Sequence, residues 1–147
     1  MIQSKFLVVL MSVLLLCGSM RAQDVSIDKR MKEADPKNIG TRVVNKFIVT
    51  PHTRFGNPRA EKAPNYITYP DACAWLGALW FSKAIKDKDM QQRLKDRFEP
   101  LFTTEKSMLP KMVHVDYNVF GSVPLEIYMQ KLGDYKYFDL GMKYADT

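Results

Sequence analysis

The stretch HVDYNVFGSVPLEIYMQKLGDYKYFDLGMKYADT, residues 114–147, decides how the chain is built. Tyr117 to Gln130 is an apolar run of helical length that Leu132-Gly133-Asp134 interrupts. An amphipathic run follows, with Tyr137, Phe138, Met142 and Tyr144 or Ala145 along one stripe. Asp134 is placed to cap this second helix, and Pro124 to kink the first.

The same order occurs upstream. Tyr69-Pro70-Asp71 opens a helix with proline where a missing amide hydrogen costs nothing, and Ala72, Trp75, Leu76 and Leu79 make it apolar around much of its circumference to Ile85. Lys86-Asp87-Lys88 breaks it, and Met90, Leu94, Phe98 and Leu101 or Phe102 mark an amphipathic return. The succession inner, outer, inner, outer predicts an all-α fold of tandem helical hairpins, a partial (α/α)6 toroid. Residues 23–147 are then the N-terminal part of a toroid domain, because the end at Ala145-Asp146-Thr147 carries neither a stop signal nor a capping hairpin and is expected to be a truncation.

Ahead of the hairpins, Asp24 to Ala34 has weak helical character. Asp35-Pro36 reads as a cap and first helical residue, with Ile39, Val43, Val44, Phe47 and Ile48 on one face and Thr50-Pro51 as the stop. Residues 51–68 are irregular, with His52, Arg54 and Arg59 expected at the surface among Pro51, Gly56, Pro58 and Pro64; loops of this length are functional or flexible.

Residues 1–22 read as a secretory signal peptide: Lys5, the apolar run Phe6 to Leu16, and a cleavage site after Ala22. Export is expected, periplasmic or secreted, without a membrane span, since a spanning helix needs about 20 apolar residues. Cys17 follows Leu16, where a lipid-anchor signal calls for a small residue, so plain cleavage is preferred to lipidation. Cys73 is then the sole cysteine of the mature chain, no internal disulfide can form, and the core must supply stability. The net charge of +6 shrinks when Lys5 and Arg21 leave. The basic residues between Lys86 and Arg97 interleave with acids as on a solvated helix face, which argues against nucleic acid as a partner. A single sugar carboxylate needs only one or two basic side chains, and Arg54 and Arg59 are candidates.

No spacing suits a metal, a phosphate-binding loop or a nucleophile elbow, so no metal or cofactor is expected. Asp116, at the start of an inner helix, lies where loops meet and a pocket can open; it is either a helix cap or an acid. His114 shares its side if residues 112–116 are extended. Tyr69 is placed for a rim. Trp75 and Trp80, five apart, cannot face the same way, so one is able to present a ring to a sugar, although core packing is the plainer role for both. Asp71 complements its helix dipole.

Residues from about Tyr69 to Thr147 resemble the unsaturated uronyl hydrolases, glycoside hydrolase families 88 and 105. Trp75-Leu-Gly-Ala-Leu-Trp80 is similar to the family's aromatic first inner helix, and His114-Val-Asp116, Leu-Gly-Asp134 and Ala145-Asp146 resemble its His-x-Asp helix, Gly-Asp break and closing Ala-Asp. The resemblance departs at Tyr117-Asn-Val-Phe120-Gly121, where the family has Gly-Phe close behind the aspartate. It implies removal of an unsaturated uronic acid from lyase-generated oligosaccharides of the pectin or rhamnogalacturonan type. In that chemistry an acid protonates C4 of the unsaturated ring and water adds at C5. Asp116 is implied as the catalytic acid, with His114, Tyr69 and Trp75 as substrate-binding residues and a second carboxylate beyond Thr147. The alternative from another class is a non-catalytic exported helical-repeat module that binds glycan or protein. Oligomeric state has no signature in the chain.

Overall fold

A computed structural model describes residues 27, 29–55, 59 and 61–146. The expected signal peptide at 1–22, Cys17, and Gly56 and Pro58 of the long loop lie outside the described residues. The regular elements are helical, with no strand among the described residues, as an all-α fold requires. The chain divides into two compact units, residues 1–41 and 42–147. In the first, residues 29–33 are helical and Asn38 Nδ2 donates to the Lys32 carbonyl oxygen at 2.7 Å.

Helix α1 spans Pro36–Val49, and its amide at Lys37 donates to the Asp35 carboxylate at 3.3 Å, the cap expected at that position. Of its predicted face only Val44 and Phe47 are buried, with Ile48 half-buried. Ile39 and Val43 are exposed instead, because the stripe that meets the core is a single i, i+3, i+4 ridge.

The second unit contains two helical hairpins. Helix α2 (Tyr69–Ala84) pairs with α3 (Lys88–Phe98), and the inner run resumes as α4 (Val115–Asn118), a 3₁₀ turn Val119–Gly121 and α5 (Ser122–Met129), which pairs with α6 (Tyr135–Ala145). The inner helices α2 and α5 pack on each other. The bend expected at Pro124 falls in the turn just before α5: a proline ring excludes the carbonyl four residues back, Phe120, from α-helical geometry, and 3₁₀ bonding takes its place.

Both hairpins turn in the same way. Lys86 and Lys131, each two residues past its helix, adopt left-handed backbone with φ of 58° and 59°. Behind them the Asp87 amide donates to the Ser82 carbonyl at 3.0 Å and the Leu132 amide to the Ile127 carbonyl at 3.1 Å, the six-to-one bonds that satisfy helix C-termini. Asp87 and Asp134 then cap the return helices through the amides of Met90 (2.9 Å) and Lys136 (3.0 Å).

The core runs between the hairpins. Trp75, Leu79, Met90, Leu94, Phe98, Leu101, Phe120, Val123, Ile127 and Tyr137 are fully buried, and α3 buries the residues expected of it. On α6 the buried positions are Tyr137, Gly141 and Tyr144, while Phe138 and Met142 are half-buried and Ala145 is exposed. Gly121 and Gly141 allow the second hairpin to close: a Cβ on Gly121 would lie 2.5 Å from Tyr144 Cβ and 2.9 Å from the Gly141 carbonyl oxygen.

Glu99 ties the hairpins together electrostatically. It meets Lys95 and Lys136 at 2.9 Å each and accepts from the Tyr137 hydroxyl at 2.7 Å. Burial works against its charge, but the hydrogen bonds from Lys136, Lys95 and Tyr137 prevail and hold its pKa at about 2, below the usual 4.5. A depressed carboxylate contributes stability above its unfolded pKa and loses it as pH falls through the folded value. The stability gap between wild type and Glu99→Gln is therefore widest near neutral pH and closes between pH 4.5 and about 2, read by urea denaturation across that window. The two lysine turns give a second expectation. Left-handed backbone costs an L-residue about 1–2 kcal/mol, and glycine returns about 0.5–1 kcal/mol of that in chain entropy. Lys86→Gly and Lys131→Gly should each stabilise by about 0.5 kcal/mol; a loss of stability in either would contradict the shared turn geometry.

Candidate functional site

The N-terminal ends of the inner helices carry the residues singled out in the sequence. His114 is the N-cap of α4, and its Nδ1 accepts from the Asp116 amide at 3.2 Å. Residues 115–118 are helical, so alternation along an extended strand is not what brings His114 and Asp116 together. The cap does so, leaving Nδ1 3.5 Å from Asp116 Oδ2. Asp116 itself caps nothing that is described, and both side chains stand in solvent, 59% and 61% exposed. Across from them Tyr69, 49% exposed, opens α2. Its hydroxyl pKa is raised, first by a hydrogen bond with Cys73 and last by the Asp116 charge.

A ring pair continues this surface. Tyr117 lies 5.8 Å from the His114 ring and 5.2 Å from Tyr66, edge to face. A cavity of about 310 Å³ opens beside the pair, lined by Asn65, Tyr66, Ser107, Leu109, Lys111 and Tyr117.

Trp75 does not join this surface. It is fully buried, its indole N–H donates to the Leu94 carbonyl at 3.2 Å, and its ring packs against Phe47 and Phe98. The expectation that it contacts substrate is corrected: seven residues into α2 and facing α3, it is core. The exposed tryptophan is Trp80, at 56%.

The long loop holds a second feature. His52, expected at the surface, is 6% exposed and its Nδ1 lies 2.5 Å from Oδ2 of the wholly buried Asp71. A nitrogen lone pair would repel a carboxylate at this range, so Nδ1 carries the hydrogen and donates it. Arg97 Nη2, 3.1 Å from the same nitrogen and 4.0 Å from Asp71 Oδ1, is then a neighbouring charge and not a second hydrogen bond. Burial lowers the Arg97 pKa, and Asp71 opposes the shift. The guanidinium sits over the rings of Phe47 and Trp75 and donates to the Ile48 carbonyl at 3.0 Å, while His52 stacks on Trp75. Asp71 thus does more than complement its helix dipole: it fastens the loop at 51–55 to the start of α2 and the end of α3.

Sequence periodicity does not reveal this trio, because its members are 19 and 45 residues from His52. One signal was present: Arg97 falls on the buried stripe of α3, three after Leu94 and four before Leu101. A cavity of about 450 Å³ adjoins the trio, but Arg93 and Arg97 face Asp96 and Glu105 there, so it favours neither sign of charge. Arg54 and Arg59 are exposed. No group of His, Cys, Asp or Glu among the described residues is arranged to hold a metal ion, and no described helix is long and apolar enough to cross a membrane. Compared with protein-family models, curated proteins and solved structures, the chain matches none.

The two charged groups separate in their cost on removal. Asp71→Ala leaves buried His52 and Arg97 uncompensated and should destabilise by about 3–5 kcal/mol, whereas exposed Asp116→Asn should stay within about 0.5 kcal/mol. Chemical denaturation of both variants at neutral pH measures this, and similar losses would contradict the assignment.

Proposed function

We propose that the chain acts in an exported glycoside hydrolase that removes unsaturated uronic acid from lyase-generated oligosaccharides of the pectin or rhamnogalacturonan type. The observation that carries the proposal is the convergence of Asp116, His114 and Tyr69 where the inner helices begin, beside an aromatic cavity that holds a lysine. A carboxyl group, an imidazole and flat rings on one surface suit a sugar ring and a proton transfer to it. The motifs that resemble the uronyl hydrolases supply the reaction, and residues 1–22, read as a signal peptide, supply export.

The Asp116 carboxyl delivers a proton to C4 of the unsaturated ring. Water bonds to C5 and returns a proton to the carboxylate, with His114 placed to relay it. The C5 hemiketal opens and the neighbouring sugar leaves. An acid needs its proton at working pH, so the reaction requires the bound sugar to exclude water from Asp116 and raise the cost of a charge there.

The exposure of Asp116 favours one second reading, a module that binds glycan at the same surface without turning it over. Loss of the conjugated double-bond absorbance of unsaturated digalacturonate, prepared with a pectate lyase, separates the two. For the complete protein, the hydrolase reading expects turnover and a fall of at least about 100-fold in Asp116→Asn. Turnover unchanged in that variant removes Asp116 from the mechanism, and binding without any turnover by the complete protein establishes the module instead.

A further inference from the structure

The cavity beside Tyr117 contains one charged side chain, Lys111, and no carboxylate. Lys111 is exposed and takes part in no ion pair among the described residues. Tyr66 and Tyr117 form one wall, their rings 5.2 Å apart, and Asn65 and Ser107 add neutral polar groups. The volume, about 310 Å³, is at the small end of ligand pockets, which run from about 300 to 1,000 Å³, and suits one ring better than a chain of them.

We infer that this cavity is a subsite for a single acidic sugar, with Lys111 as the residue that recognises its carboxylate. Aromatic walls cover the apolar face of a pyranose, and Asn65 and Ser107 exchange hydrogen bonds with its hydroxyls. An ammonium group unmatched by any lining carboxylate selects a uronate over a neutral hexose. The contrast with the larger cavity near Arg97 is chemical: there two arginines are matched by Asp96 and Glu105, and an anion gains nothing. Arg54 and Arg59, the candidates named from the sequence for this role, do not line the cavity that holds Lys111.

The inference rests on the proposed carbohydrate function, and the two are separable by experiment. The ¹⁵N-labelled full chain is titrated with galacturonate and with galactose, as wild type, Lys111→Gln and Asp116→Asn. Galacturonate should shift the amides of Tyr66, Lys111 and Tyr117. Lys111→Gln should weaken galacturonate about tenfold, as expected for one hydrogen bond to a charged group, and leave galactose unchanged. Asp116→Asn should still bind. Because Lys111 is exposed, Lys111→Gln is expected to fold normally, which its own spectrum verifies. Galacturonate affinity equal in wild type and Lys111→Gln, or shifts gathered around Arg97, would overturn the subsite. If galacturonate binding depends on Lys111 while the complete protein does not turn over unsaturated digalacturonate, the hydrolase reading fails and the subsite stands. If turnover depends on Asp116 while Lys111→Gln keeps the wild-type KM, the subsite fails and the hydrolase reading stands.

Discussion

Phe98 is the side chain on which both hairpins close. Its ring meets Trp75 at 5.3 Å, Phe102 and Tyr137 at 5.4 Å and Phe120 at 5.7 Å, so residues from α2, α6 and the turn before α5 share one buried contact at the end of α3. Each hairpin alone would leave an aromatic face in water, and burial of such faces is the main favourable term in folding. With the hairpins locked about this ring, the inner helices α2 and α5 pack on each other.

Polar contacts refine this arrangement without creating it. Glu99 joins α3 to α6 at the surface, and Gln130 joins the three helices below it, accepting from Gln91 at 3.0 Å and donating to Glu126 at 2.8 Å and to the Leu79 carbonyl at 3.2 Å. The trio of His52, Asp71 and Arg97 is costlier, since charges taken from water must be matched closely. Rings on either side and the Ile48 carbonyl supply part of that match, while Asp71 Oδ1 and Arg97 Nε are buried without a hydrogen-bond partner. By contrast His114 and Asp116 remain exposed to water, where a ligand can reach them. The buried carboxylate fastens the loop, and the hydrated one is available for chemistry.

The hairpins were legible because apolar spacing, Gly-Asp and Lys-Asp breaks, and the caps at Asp35 and Asp134 all act within a few residues. Phe98, Leu94 and Met90 could be assigned inward for the same reason. Ile39 and Val43 were overcalled because an apolar residue at helical spacing is not obliged to find a partner. His52 and Asp71 escaped because their pairing is a long-range event set by how the loop folds back on α2, and Trp75 because an aromatic residue reads alike in a core and at a sugar platform. Asp116 and His114 were found as a pair for the wrong local reason, since a cap and not a strand unites them. Lys111 was passed over in a short connection, where only the folded chain brings it to Tyr66.

The central claim is that the surface where the inner helices begin, and not the cavity beside Arg97, receives the sugar. A crystal structure of the chain with unsaturated digalacturonate tests it most directly. The account predicts the unsaturated ring within hydrogen-bonding reach of Asp116 and against Tyr69, Tyr66 or Tyr117, with its carboxylate toward Lys111. An ordered sugar in the cavity lined by His52, Arg93 and Arg97, with none near Asp116, would contradict it.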